Sequence, residues 1–362
     1  MKDALTKNYS LKSDRIDIQK QMIEGVISTR WDNPELELEL SRFDEKIDNI
    51  DFRTSITQLV PIPSIQRDRE ILSTAEVNLE KSKYKLNRAK YIKNISFLYL
   101  DYVSKSMFYK NSINEVKIEK DIYNLVEARE LVGTVSRGEL LRARVNYNIS
   151  LEAQNSIELA KKKSYYRLLN YANITKNIKI DTSYIFKIEK YKGENPEIII
   201  IKNSGKKYRA EANVEQHIIK TIGVFGEYEE DRGEGVVRLG ISIPLAINNQ
   251  KREEIQLAKL ESHQNSLRLE DRETKTKIEL QTLKDEAKIL SKLEKQNRKI
   301  LSEERILLDK FQEAYQIATI NLLELQEVKN RLIKTQDRLI KINISKQKNS
   351  IEQNYILGVY ND

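Results

Sequence analysis

The sequence of 362 residues contains no cysteine. That excludes disulfides, thiolate metal sites and cysteine nucleophiles, and it is neutral on compartment. Histidine occurs only twice, as His217 and His263. Each stands alone and reads as a surface or packing residue, so neither a metal site nor an acid–base pair is expected, and no cofactor. Proline is limited to Pro34, Pro61, Pro63, Pro196 and Pro244, none of which interrupts a helical pattern. Neither proline nor glycine occurs from Ser64 to Val132, or from Leu245 to Leu357. Such runs read as helix broken only by local turn chemistry. No apolar stretch reaches the roughly 18 residues of a transmembrane helix. No secretory signal opens the chain either, so a cytoplasmic protein or a chain whose leader has been removed is expected.

What is present is charge. The chain is 33% charged and 39% hydrophobic, with 63 basic and 55 acidic residues. Its mean hydropathy is −0.61. This is polar for a compact globule and suits thin helical layers with much wetted surface. The net charge of +8 is spread among acidic residues along helix faces, and no aromatic–basic nucleic-acid module is visible. Lys161, Lys162 and Lys163 fall late in a helix, where positive charge favours the helix dipole. No nucleic-acid partner is expected.

The chain also says one thing twice. Thr134, Val135, Glu139 and Leu140 match Thr319, Ile320, Glu324 and Leu325 at a single offset of 185 residues. Each copy lies at the end of a very long helical run that follows a pair of strands. The expected organisation is a first repeat over 1–170, with a helix near 2–28, a β-hairpin over 34–61 and a helical hairpin over 64–170. A small strand-containing connector follows over 171–195. The second repeat, 196–362, has a helix near 196–219, a β-hairpin over 221–245 and a helical hairpin over 248–357. Each long helix spans roughly 100 Å at about 1.5 Å per residue. Leu293, Ile300, Leu307 and Ala314 recur every seven residues, with Leu301, Leu308 and Tyr315 beside them. Two adjacent seams let one helix touch neighbours on both sides, as a helical sheet or barrel requires; an ordinary coiled coil needs one.

The strands alternate. Leu36, Leu38 and Leu40 oppose Glu35, Glu37 and Glu39, and Ile222 and Val224 oppose Glu227 and Glu229 in phase. Phe52, Thr54, Ile56 and Val60 oppose Arg53, Ser55 and Thr57, while Val237, Leu239 and Ile241 oppose Arg238, Gly240 and Ser242. A soluble sheet on a core and a membrane barrel both show this pattern. Trp31, Phe43, Phe52 and Tyr228 fall near strand ends, where an interfacial aromatic girdle would lie. Four strands cannot close a barrel, and open edges are not tolerated in lipid. The membrane reading therefore needs several chains; three would give twelve strands.

At the repeated turns, Ser136-x-x-Glu139 and Asn321-x-x-Glu324 read as capping boxes, and Gly133 suits a left-handed helix terminus. Val135 and Ile320 are expected to be exposed apolar residues at hairpin tips, a docking surface. Glu139 and Glu324 are candidates for carboxylates near an aperture.

Taken together, Val132-Gly133-Thr134-Val135-Ser136 with Glu139-Leu140-Leu141, and Ala318-Thr319-Ile320-Asn321 with Glu324-Leu325, resemble the TolC-like outer membrane factors of bacterial tripartite efflux and secretion systems. Asn33-Pro34, Ile243-Pro244-Leu245 and Gln353-Asn354-Tyr355-Ile356-Leu357-Gly358 fit as well, over nearly the whole chain. The resemblance implies a mainly α fold with a β-barrel part: a homotrimer with a twelve-stranded barrel in outer membrane lipid above a periplasmic α-helical barrel. It implies a passive duct rather than an enzyme. The tips Gly133, Thr134, Val135, Ser136, Ala318, Thr319, Ile320 and Asn321 would meet a periplasmic adaptor, which links to an inner-membrane pump of the RND type. Glu35, Glu37, Glu39, Glu227 and Glu229 would line the lumen, and the glutamate-rich first strand resembles the heavy-metal cation branch. Three departures stand out: Ile65-Gln66-Arg67-Asp68-Arg69 after the second strand, Ala318 where the first turn has glycine, and no cysteine for a lipid anchor. A soluble coiled-coil scaffold and a type I secretion duct are the competing readings.

Overall fold

The computed structural model describes residues 2–41, 51–190, 193–231, 234–245 and 251–361. Phe43, the end of the first expected strand and the expected helix start at 248–250 lie outside these residues. The elements are helices α1 (Lys2–Lys7), α2 (Tyr9–Thr29) and α3 (Pro63–Leu131), then α4 (Arg137–Tyr171) and α5 (Pro196–Gln216), then α6 (Arg252–Gln316) and α7 (Leu322–Ile356). The strands are β1 (Glu35–Ser41), β2 (Asp51–Pro61), β3 (Thr221–Asp231) and β4 (Glu234–Ser242). Prolines open α3 and α5, where a missing N–H costs nothing. The single helix expected near 2–28 is two: it breaks at Asn8, whose buried side chain bonds the Tyr91 hydroxyl. A short polar side chain with an outside partner competes with the helical ladder at that point.

The chain forms two compact units, each assembled from both halves of the sequence. The first comprises Met1–Tyr9, Asn87–Pro196 and Lys275–Asp362. Within it α3 runs antiparallel to α4, as Tyr123 stacks on Tyr147 and Tyr102 meets Tyr165. It also runs antiparallel to α7, through Lys93–Glu352 at 3.1 Å, Asn111–Asp337 at 2.7 Å and Lys329–Glu119 at 2.5 Å. Helix α6 also packs on α7, through Glu294–Lys346 at 2.5 Å. Both heptad seams of α6 turn inward toward its end: Leu308 and Tyr315 are buried and Leu301 and Leu307 pack beside them, whereas Leu293 and Ile300, farther back, are exposed.

The connector is a correction to the sequence reading. No strand forms among the described residues of 171–195. The segment is extended, and side chains of the helices take the place of a pairing strand. The Phe186 N–H donates to Gln347 Oε1, the Glu189 N–H to Asn354 Oδ1, and Asn354 Nδ2 donates to the Lys187 carbonyl. Tyr165 Oη serves both backbone groups of Ile178. Backbone groups need partners, but not strand partners.

The second unit comprises Ser10–Leu86 and Glu197–Thr274. Helix α2 packs antiparallel on the start of α3 so closely that a Cβ at Gly25 would sit 2.0 Å from Ser73 Oγ. Helix α5 meets the same stretch of α3 through His217–Asp68 at 2.7 Å, and meets α6 through Glu197–Arg272 at 2.9 Å. The four strands form one antiparallel sheet in the order β1-β2-β3-β4, leaving β1 and β4 at its edges.

Candidate functional site

Two places carry the features that sequence reasoning marked: the paired hairpin turns in the first unit and the sheet in the second.

The turns share one backbone solution. Each outgoing helix ends on a left-handed residue, Gly133 at φ +74° and Ala318 at φ +61°. The repeated threonine follows. Thr134 gives both its N–H and its hydroxyl to the Arg129 carbonyl, at 2.9 Å each. Thr319 does the same to the Ala314 carbonyl, at 3.0 and 2.9 Å. These bonds satisfy carbonyls that a helix end otherwise leaves open. The returning helices are then capped. Asn321 and Glu324 form a complete reciprocal box, Asn321 Oδ1 accepting from the Glu324 N–H and Glu324 Oε2 from the Asn321 N–H. At Ser136 only half forms: its hydroxyl accepts from the Glu139 N–H, and Glu139 does not reach back. The first expected capping box is corrected to a simple cap.

Val135 and Ile320 are also corrected. They are half-buried and pack on the apolar cluster of Ile122, Val126, Leu308, Leu322 and Leu325. A β-branched residue at the turn closes the end of that cluster rather than facing solvent. The exposed apolar residues lie one step outward: Leu131 (79% exposed), Val132 (72%) and Ile317 (73%), with Leu323. Beside the turns a further strap joins the two hairpins. Arg129 Nη1 donates to the Tyr315 carbonyl at 2.6 Å, and its guanidinium lies 4.5 Å from the centre of the buried Tyr315 ring. Burial pushes the Tyr315 hydroxyl up from its ordinary pKa.

In the sheet, the register confirms the two faces. Leu36, Leu38 and Leu40 stand beside Ile56, Thr54 and Phe52, and Gly226, Tyr228 and Val224 beside Leu239, Val237 and Ile241. This apolar face is uncovered; Leu239 is 85% exposed. Trp31 precedes β1 at one end, while Phe52 and Tyr228 lie toward the other. The opposite face is threaded by ion pairs. Arg53 lies 2.5 Å from Glu227 and 3.6 Å from Glu39, and Arg238 pairs with Glu227 at 2.5 Å and with Glu229. The glutamates read as a bare acidic lining are thus partly neutralised. Glu37 accepts from Ser55, and Glu35 lies on the same face.

Among solved structures the chain is similar to CusC, described for its transmembrane channel formation, at TM-score 0.80 and 14% identity, covering 98% of this chain and 90% of that one. It is similar to the outer-membrane channel OprN at TM-score 0.82 and 11% identity, covering 100% and 89%. It is also similar to the CmeC outer membrane channel of Campylobacter jejuni at TM-score 0.76 and 15% identity, covering 98% and 84%. The chain has the TolC-like outer membrane channel fold. No family model matches its sequence, and no curated protein is similar to it in sequence. Within the TolC-like fold the chain contributes four strands and two helical hairpins that end at the two turns.

Sequence reasoning missed three things inside the TolC-like fold. Arg129 sits in the first repeat where the second has Ala314, so the repeat itself hid the strap. Lys329 and Glu119, 4% and 2% exposed, form a buried pair with Glu119 also accepting from Gln326 at 3.0 Å. Burial pushes the adjoining Glu115 carboxyl up, with Lys329 opposing the shift. The third is the pairing of Arg53 and Arg238 with Glu227. A charge in phase with a core seam, such as Lys329 among Leu325, Val328 and Leu332, is the one signal that could have found any of them.

Proposed function

We propose that the chain is one protomer of an outer membrane exit duct. Three copies close a twelve-stranded barrel in lipid, and their helices form a tunnel on the periplasmic side. The observation that carries this reading is the sheet: an uncovered leucine-rich face, an ion-paired polar face, and two edges with no partner strand among the described residues. In hydrocarbon each unsatisfied backbone group costs several kcal/mol, so such edges need neighbouring strands. A soluble coiled-coil scaffold has no use for that face.

A duct does no chemistry on its cargo. It offers a wet path whose wall charge favours one sign of ion. Glu35, Glu37, Glu39, Glu227 and Glu229 would line that wall. They outnumber Arg53 and Arg238, which favours cations, including metal cations. The turns Gly133–Ser136 and Ala318–Asn321 would hold Leu131, Val132, Ile317 and Leu323 out toward a periplasmic adaptor that links to an inner-membrane pump, of the RND type in an efflux assembly. Glu139 and Glu324 would stand near the tunnel aperture.

Reconstitution into planar bilayers tests the reading. Stepwise conductance with cation preference is expected, together with a detergent-solubilised mass of about three protomers, following the edge-closure argument. A chain that stays monomeric in water without detergent and produces no conductance steps refutes the duct.

A further inference from the structure

The first unit holds a cavity of about 580 Å³, within the size range of small-molecule sites, about 300–1,000 Å³. Helices α3 and α4 form its floor with Ile92, Ile95 and Leu168, and the connector forms a wall with Ile178 and Phe186. Ile178 is partly exposed, so the wall has an open rim. The lining is mostly apolar, with Ser96, Lys187, Glu189 and Asn354 among it, and one polar group in it lacks an acceptor. The Tyr360 hydroxyl is buried and its proton meets no acceptor, since the Asn354 side chain beside it can offer only an amide N–H. Its polar neighbour Asn354 is already committed, its carbonyl to the Glu189 N–H and its amide to the Lys187 carbonyl. Burial pushes Tyr360 up to about 12, so the phenol stays protonated at neutral pH and keeps a proton to donate. An unsatisfied buried donor costs about 1–3 kcal/mol, and an acceptor brought in by a ligand would remove that cost.

We propose that this cavity is a binding site for a small, neutral, largely apolar molecule carrying one hydrogen-bond acceptor, which Tyr360 would engage. The site is built of the connector rather than of the sheet or the turns, so it stands independently of the duct reading. The connector's lack of a strand has a use here: side-chain anchors leave Ile178 and Phe186 free to face the helices.

Benzophenone serves as the probe, being neutral, aromatic and carbonyl-bearing, and it crosslinks on illumination. Full-length protein is photolabelled and the adducts are mapped by mass spectrometry. Saturable labelling of peptides from 92–99, 168–186 and 354–361 is expected. Ile178→Trp, or separately Ile180→Trp, fills the cavity from the connector without touching the helix cores, and either should abolish that labelling while the circular dichroism spectrum is unchanged. Tyr360→Phe should weaken half-saturation by about three- to tenfold, the worth of one hydrogen bond, without moving the adducts. Adducts confined to the leucine face of β1 and β4, or labelling indifferent to both tryptophan variants, overturn the proposal. So does protection of the cavity in proportion to self-association, which would mean that a second copy fills it.

Discussion

The two hairpin turns are the same backbone written in different residues. Both end a helix on a left-handed residue and tie it with a threonine hydroxyl. The first uses glycine for the left-handed step and only half a cap on the return. The second uses Ala318, which must bear a strained φ, and compensates with a complete capping box. A non-glycine residue there costs about 1 kcal/mol, and a good cap returns about as much. What the two copies share is therefore the geometry of the turn and its threonine tie, while the left-handed residue and the cap differ. The exposed leucines and isoleucine around it are unequal too, so any partner meets two kinds of tip.

The comparison can be broken first at its buried side. Val135→Glu and Ile320→Glu each push a carboxylate against the shared apolar cluster, and a loss of about 2–3 kcal/mol is expected from either. Thermal unfolding followed by circular dichroism should show a lower midpoint for both; an unchanged midpoint would mean that the two side chains are free in solution. Moving one step outward should reverse the readout. Leu131→Glu or Ile317→Glu leaves the midpoint in place, but export in cells that depend on this chain falls about tenfold, as for loss of an apolar contact worth roughly 1–2 kcal/mol. Equal export would remove the tips from docking.

Smaller effects sharpen the difference between the caps. Asn321→Ala is expected to cost about 1 kcal/mol and Ser136→Ala about half of that, because only Asn321 belongs to a reciprocal box. Denaturant titration of the two variants side by side decides it, and equal costs would make the box inconsequential. Last comes the left-handed step. Ala318→Gly should stabilise by about 0.5–1 kcal/mol, whereas Gly133→Ala should destabilise by a similar amount; midpoints shifting in the same direction would contradict the strain at Ala318.

Much of this was readable in the chain. Helix limits follow from runs without proline or glycine, and the ends of α3, α4 and α7 fall within a residue or two of the expected positions. Strand faces follow from a period of two, which the register reproduces. These features are local or periodic, and they survive when individual residues change. That is consistent with a fold shared with solved structures at 11–15% identity. What stayed hidden depends on partners far apart in sequence. Glu227 finds Arg53, Asn354 holds the connector, and Arg129 reaches Tyr315, and none of these pairs has a spacing that means anything until the helices are laid side by side. Val135 and Ile320 were misjudged for a related reason. A turn residue is expected at the surface, and nothing local says that four helix ends converge beneath it.

The buried pair of Lys329 and Glu119 has a mechanical consequence. Sliding α7 along α3 by one turn, about 5.4 Å, would bring Leu325 or Ile333 opposite Glu119. The ammonium and the carboxylate would both be stranded, at about 3–5 kcal/mol. The pair therefore works as a pawl against axial slip of α7 along α3.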